Sequence, residues 1–323
     1  MENFFFAFTV LSSLRRTLFG RNKVQTITDP NLFRAPWSSD VKLSDKTAVI
    51  TGANTGIGKE TAIDLSKRGA RVILACRDME KAQAAVKEIA ESSGNDDVIC
   101  MKLDLSDSKS IREFAEAVNK NEPKLNLLIN NAGVMVCPYG KTADGFEMQI
   151  GVNHMGHFLL TYLLMDLIKR SAPARIVTVS SMAHSWGSIN LEDINSEKCY
   201  NKNKAYAQSK LANVLFTRSL AKRLEGTGVT AYSLHPGVVQ TDLWRHLSGP
   251  QQFFMKMARP FTKDSIQGAQ TTIYCAVEPS LEKESGGYYS DCAPANCSVA
   301  GKNDKLAEKL WQLSCQMLSI TWE

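Results

Sequence analysis

Short apolar runs alternate with amphipathic stretches from about residue 46 onward. Ala48, Val49 and Ile50 open the series, followed by "RVILAC" (71–76), "VICMKL" (98–103), "LNLLIN" (125–130), "RIVTVS" (175–180) and "VTAYSL" (229–234). Each run is short, rich in aliphatic residues and bounded by polar or turn-forming positions, and so predicts a buried strand. The intervening spacing predicts helices over 57–67, 79–93, 108–119, about 144–169 and about 204–224. Strands that alternate with helices in this way predict an α/β fold with a doubly wound parallel sheet, covered on both faces. No repeat or low-complexity tract interrupts the pattern.

The first strand runs into "VITGANTGIGKE" (49–60), where Gly52, Gly56 and Gly58 fall within seven positions. Glycine allows positive φ and close approach of another group to the backbone, at an entropic cost that requires a reason. A loop that simply turns is one reading. In a doubly wound sheet, however, the first strand-to-helix turn lies at the carboxyl edge, where a pyrophosphate rests against a helix N-terminus. A dinucleotide is the expected guest. The spacing is GxxxGxG rather than GxGxxG, which points to a different variant of such a loop.

Composition narrows the possibilities. A chain of 323 residues, 44% of them apolar, can bury a sizeable core. Length alone suggests about two domains, although large α/β folds often run as one. The organisation read here is an N-terminal segment 1–40, a single main domain 41–300 and a C-terminal helical extension 301–323. The net charge of +5 comes from scattered Lys and Arg, which argues against nucleic acid as a partner. Eight cysteines without a CxxC pair favour reduced, buried thiols over a zinc site or a disulfide framework.

The N-terminus has a separate character. "FFFAFTVLSSL", Phe4 to Leu14, is too short to span a bilayer and is followed by Arg15, Arg16, Arg21 and Lys23. Three readings fit: a membrane anchor lying in the interface or holding the next domain on the cytoplasmic side, a mitochondrial presequence, or a structural arm. Asn31 to Val41 reads as a linker.

Candidate chemistry begins with "YAQSK". Tyr206 and Lys210 stand four apart on a predicted helix and share one face. A nearby ammonium favours the phenolate and lowers the tyrosine from its ordinary value of about 10, giving a usable general acid/base. The alternative is a packed tyrosine with a solvated lysine. Ser181, at a strand end, can hydrogen-bond a substrate oxygen; Ser180 competes for that role. Asn153 is a poor helix former inside a predicted helix and needs a hydrogen bond to justify it, or else marks a cap or kink. His154 and His157 lack a third partner at ligand spacing and read as packed or surface histidines, so no metal site is expected.

With "NNAG" (130–133) after the fourth strand and "HPG" (235–237) after the sixth, these motifs stand in a fixed order. The chain resembles the short-chain dehydrogenase/reductase family over roughly residues 46–289. The family's TGxxxGxG loop appears as Thr51, Gly52, Ala53, Asn54, Thr55, Gly56, Ile57 and Gly58. The resemblance implies a Rossmann-type sheet, with Asn131, Ala132, Gly133, Pro236, Gly237 and Thr241 also at cofactor-binding positions. It implies that Tyr206 is the catalytic acid/base and that Ser181 is the catalytic, substrate-binding serine, leaving Ser180 structural. Lys210 is then the ribose-holding partner of Tyr206, and Asn153 supports a water linked to that lysine. Asp104 matches a residue that contacts adenine; the competing reading is a turn residue in "LDLSD".

Cofactor choice falls after the second strand, where NAD enzymes commonly carry an acidic residue. Here "ACRD" puts Cys76 at that position, followed by Arg77, whose guanidinium suits a 2′-phosphate. NADP(H) is the expected cofactor. Asp78 stands later, reads as a helix cap, and keeps NAD open.

The segment Leu243–Phe261 carries Trp244, Leu247, Phe253, Phe254, Met255, Met257 and Phe261. It reads equally as an apolar lid over an apolar substrate or as an amphipathic helix packed on the core. Longer stretches, including "KTADGFE", "GVNHMGHFLLTYLL" and "SKLANVLFTRSLAKRL", are similar to the retinol dehydrogenase branch, most of all its 11/12 type. That likeness implies NADP(H)-dependent interconversion of retinal and retinol, or of related apolar aldehydes and alcohols. It also implies an endoplasmic reticulum membrane location with a cytosolic catalytic domain; a mitochondrial location is the alternative. The apolar N-terminal run is shorter than in that branch. A steroid or other lipid carbonyl reductase shares all these parts, and oligomeric state stays open. A noncatalytic NADP-binding interaction protein is a reading of another class; its mark would be loss of Tyr206 or Lys210, and both are present.

Overall fold

The computed structural model describes residues 37–240 and 262–322. The apolar run Phe4–Leu14, Thr241 and the segment Leu243–Phe261 lie outside the described residues. An eight-stranded sheet forms the centre, in the order β3-β2-β1-β4-β5-β6-β7-β8. The strands are β1 (Thr47–Thr51), β2 (Arg71–Cys76), β3 (Val98–Lys102), β4 (Leu127–Asn130), β5 (Ala174–Val179), β6 (Val229–His235), β7 (Tyr288–Ser290) and β8 (Ala293–Pro294). All pairings are parallel except the antiparallel β7–β8 pair. The strand order reverses between β1 and β4, and the crevice at such a reversal is where a doubly wound sheet receives ligands.

The period of two along each strand divides its side chains between two cores. Ala48 and Ile50 of β1 face one apolar cluster and Val49 the other. The first cluster takes in α1 (Gly56–Lys67), α2 (Met79–Ser93) and α6 (Ser265–Val277). The second takes in α3 (Ser108–Asn121), α4 (Gly156–Arg170), α5 (Lys202–Arg223) and α7 (Asp304–Met317). Each fully buried aliphatic side chain in these layers stabilises the fold by roughly 1.5–3 kcal/mol. Local chemistry sets the helix ends. Asp78 caps α2, accepting from the Lys81 N–H at 3.1 Å, and Gly94 closes it with φ 69°. Asn201 caps α5 through the N–H groups of Asn203 and Lys204, both at 3.0 Å.

The predicted helix over about 144–169 is not continuous. Glu147 caps a helical turn Met148–Ile150, accepting from the N–H groups of Gln149 and Ile150; a π-helical segment Gly151–Met155 follows, and α4 begins only at Gly156. Asn153 sits inside the π segment, so the kink reading of this residue is realised together with its hydrogen bonds. His154 and His157 are buried, as packed histidines. His154 Nε2 lies 3.0 Å from Ser314 Oγ, and its ring meets Phe158 and Phe216. Behind it, Trp311 of α7 stacks on Phe216, while Arg223 lies 4.1 Å over Trp311 and ion-pairs with Glu308 at 3.0 Å. Trp322 closes the cluster, its carbonyl accepting from Trp311 Nε1. The C-terminal helix is thereby part of the second core.

Burial drives His154 down to about 3 and His157 to about 4. Both stay neutral in the folded protein while the unfolded chain takes up protons below about 6.5. Stability must therefore fall as pH drops from about 6.5 toward 4, each histidine contributing about 1.4 kcal/mol per pH unit across that window. Urea unfolding at pH 7, 6 and 5 should show this slope, and His154→Gln should shed roughly one histidine's share of it. An unchanged slope would refute the assignment.

Candidate active site

The carboxyl ends of β1, β4, β5 and β6 open on one cavity of about 1010 Å³. Its first wall is the glycine loop. Gly52 and Gly56 take φ of +64° and +56°, a region closed to most side chains. A Cβ on Gly58 would lie 2.5 Å from Gly52 O and 2.6 Å from Asn131 Nδ2, so only glycine permits this close packing of loop on strand end. Asn54, Thr55 and Ile57 also line the cavity, whereas Ala53 is wholly buried and does not. Asn131 donates from Nδ2 to Thr51 O at 2.8 Å, which binds the end of β4 to the loop. Ala132 and Gly133 complete that wall.

The second wall carries the polar groups. Tyr206 and Lys210 lie one turn apart on α5, with Lys210 Nζ 5.9 Å from the centre of the tyrosine ring. Lys210 donates to Val179 O at 3.0 Å. Ser181 follows β5, and its Oγ accepts from the Ala183 N–H at 3.1 Å. That acceptance fixes the oxygen, leaving the hydroxyl hydrogen for a partner in the cavity. Ser180 turns away and donates to Lys210 O at 2.7 Å, a structural contact. Asn153 does not line the cavity. Its side chain grips the Val134 peptide, accepting from the N–H at 2.8 Å and donating to the carbonyl at 2.9 Å, and it donates also to Ser209 Oγ.

Burial, not mutual attraction, dominates the titration of the pair. Tyr206 is pushed up to about 12 by desolvation, against a lowering hydrogen bond to Ser181, and Lys210 is pushed down to about 8 by desolvation. The sequence argument expected the ammonium to lower the tyrosine. Burial outweighs that attraction, and the phenol is raised instead. Tyr206 is therefore a protonated hydrogen-bond donor throughout the neutral range.

Charged groups gather at the end of the cavity beyond β2 and β3. Arg77, Asp78 and Asp104 line the cavity, and Asp78 caps α2. Asp104 also folds back on its own turn, Oδ1 accepting from Ser106 N and Oγ, as the turn reading expects. Lys81 joins this end as a second cation that the motifs did not mark; its one signal was its position a helical turn beyond the Asp78 cap. Pro236 and Gly237 lie opposite, with Gly237 at φ +97°. Valines and methionines at 134, 135, 136, 182 and 239, with Trp186, supply apolar lining that no motif announced. Among the described residues, no group of His, Cys, Asp and Glu is placed to hold a metal.

The short chain dehydrogenase family model matches residues 46–252. The chain belongs to the short-chain dehydrogenase family. It is 56% identical over 285 residues to retinol dehydrogenase 12 of Homo sapiens, covering 88% of this chain and 90% of that protein. It is 54% identical over 283 residues to retinol dehydrogenase 11 of Homo sapiens, covering 88% and 89%. Among solved structures, an uncharacterized protein from Mycobacterium paratuberculosis aligns with a TM-score of 0.73 at 37% identity, covering 90% of this chain and 100% of that one. As a short-chain dehydrogenase the protein is an oxidoreductase with a nicotinamide cofactor. The residues present fit that group: a bare-backbone cradle, a helix α1 whose first turn has no side-chain cap, and cations at the far end of the same cavity.

Proposed function

We propose that this short-chain dehydrogenase is an NADP(H)-dependent retinal reductase and retinol dehydrogenase, with reach to related apolar aldehydes and alcohols. The carrying observation is the convergence of Tyr206, Ser181 and Lys210 on a cavity whose substrate side is lined by apolar residues. The names of the similar retinol dehydrogenases point to the same substrate class.

This reading assigns the following roles. Gly52, Asn54, Thr55, Gly56, Ile57 and Gly58 would hold the pyrophosphate, Arg77 with Lys81 a 2′-phosphate, Asp104 the adenine side, and Asn131 to Gly133 with Pro236 and Gly237 the nicotinamide side. When bound, that cofactor supplies a hydride for the carbonyl carbon. Ser181 donates its hydroxyl hydrogen to the carbonyl oxygen and holds it beside the phenol. Tyr206 gives that oxygen its proton, which it carries throughout the neutral range. Lys210 places a positive charge behind the tyrosine and stabilises the phenolate left after transfer. Asn153 keeps the Val134 peptide, and so the wall facing Lys210, in place.

An apolar N-terminus of this kind suits a protein that takes its substrate from a lipid phase. Among the described residues no helix is long and apolar enough to cross a membrane. We place the membrane contact in residues 1–23, with the catalytic domain on the cytosolic face of the endoplasmic reticulum.

Three measurements test these assignments. Purified protein assayed with NADPH and NADH against retinaldehyde, a ketosteroid and a short aldehyde should turn over retinaldehyde fastest, and Tyr206→Phe should lower kcat about 100-fold or more with little change in NADPH binding. Steroid preference would replace the substrate, and undiminished turnover would remove the tyrosine from the chemistry. Arg77→Asp should cost about 10- to 100-fold in NADPH preference over NADH, the value of a charge-assisted contact; unchanged discrimination would clear Arg77 of that role. Deleting residues 1–23 should release the protein from alkali-washed membranes, and continued retention would put the anchor elsewhere.

A further inference from the structure

Val136 is the one non-glycine residue of the cavity wall, among those described, that holds a positive φ, +54°. A β-branched residue pays a real conformational cost there and persists only where its surroundings over-determine it. The surroundings are specific. The Val136 N–H donates to Gln149 Oε1 at 2.7 Å, and the next carbonyl, that of Cys137, accepts from the Tyr200 hydroxyl at 2.8 Å. Gln149 Nε2 in turn donates to Tyr200 Oη and to Lys202 O, both at 2.9 Å. Gln149 is fully buried, so each of these bonds replaces one to water that it has lost.

This clamp joins three elements. Gln149 lies on the short helical turn capped by Glu147, Tyr200 on the approach to α5, and Lys202 at the first residue of α5, the helix of Tyr206 and Lys210. The strained peptide is therefore referenced to the catalytic helix rather than to its own loop. Val136 lines the same cavity as Ser181, Met182 and Trp186. Its neighbour Val134 is separately fixed by Asn153.

We infer that Val136 is a specificity-determining residue of the substrate pocket, and that Gln149 and Tyr200 are positioning residues that hold it in its strained conformation. The inference rests on the reading of this cavity as the seat of an apolar carbonyl substrate. A wall tied to the catalytic helix fixes how far a long apolar chain can extend while its carbonyl stays at Tyr206. On this inference a short aldehyde has no chain to meet that wall.

The test compares Gln149→Met, which keeps length but removes all three of its side-chain bonds, with Val136→Ala, which keeps the clamp and trims the wall. For each variant and the parent, KM and kcat are measured for retinaldehyde and for a short aldehyde such as propanal, together with NADPH affinity by fluorescence titration. Both variants should change the kcat/KM ratio of retinaldehyde over propanal at least fivefold, mainly through KM for retinaldehyde. Propanal kinetics and NADPH affinity should stay within about twofold. Combining Gln149→Met with Val136→Gly should recover stability but not the parent ratio, since glycine relieves strain without restoring the wall. An unchanged ratio in Val136→Ala would overturn the inference even if Gln149→Met fails to fold. Parent protein inactive on every aldehyde would instead overturn the functional reading beneath it.

Discussion

The Thr51 hydroxyl joins the two halves of the site. At the end of β1, its oxygen accepts from the N–H groups of Asn131 and Ala132, both at 2.9 Å, and lies 2.9 Å from His157 Nε2. With both lone pairs engaged, its single hydrogen is directed to that nitrogen, since Ile129 O is farther at 3.4 Å. His157 Nδ1 faces the Asn153 carbonyl at 3.1 Å, an acceptor only, so Nδ1 carries the proton and Nε2 accepts. One neutral histidine thereby links the glycine loop, the end of β4 and the π segment carrying Asn153. The strand reversal between β1 and β4 creates the crevice; this node keeps its two lips at a fixed distance.

Burial is the second constraint, and it acts on protons. Tyr206 and Lys210 are desolvated by the same packing of α5 against the sheet, and each is driven toward its neutral form. A phenol raised in this way carries its proton at neutral pH but is a weaker acid than a free one. Positive charge near it would lower it again and ease proton transfer in either direction. The same desolvation raises Cys76 to about 11 and leaves it an inert thiol at the end of β2.

Much of this was legible before the coordinates. The strands were marked by runs of aliphatic residues, because parallel strands buried on both faces leave no polar alternation to confuse the reading. The order of Gly52 to Gly58, Asn130 to Gly133, Ser181 and Tyr206 to Lys210 located the chemistry, since each motif is local and sits at a strand end or on one helix face. What escaped depends on residues far apart in the chain. The π segment at Asn153 satisfies contacts to Val134 and Ser209, and helical periodicity carries no trace of it. Trp311 and Trp322 meet Phe158 and Phe216 across about 150 and 100 residues of sequence, so 301–323 read as an extension rather than as core. Thr51 was seen as part of a motif, but its hydroxyl's partners were not. Val136 gave no signal at all, since only a backbone angle distinguishes it from any loop valine.

The two ends of the cavity recognise their guests by different physics, and this bears on which residues a sequence can reveal. On the NADP(H) reading proposed above, the nucleotide end would select by what is absent: no Cβ at Gly58 and no anion at Cys76, whose buried thiol stays neutral. Arg77 and Lys81 stand there beside Asp78, Glu88 and Asp104, so the local charge at that end is mixed. At the substrate end, selection works by side chains whose positions are set through a clamp on another element. A residue there can be exchanged for another of similar size without breaking any motif. Such a position carries no motif, which is why the reaction type is easier to read from the chain than the molecule it acts on.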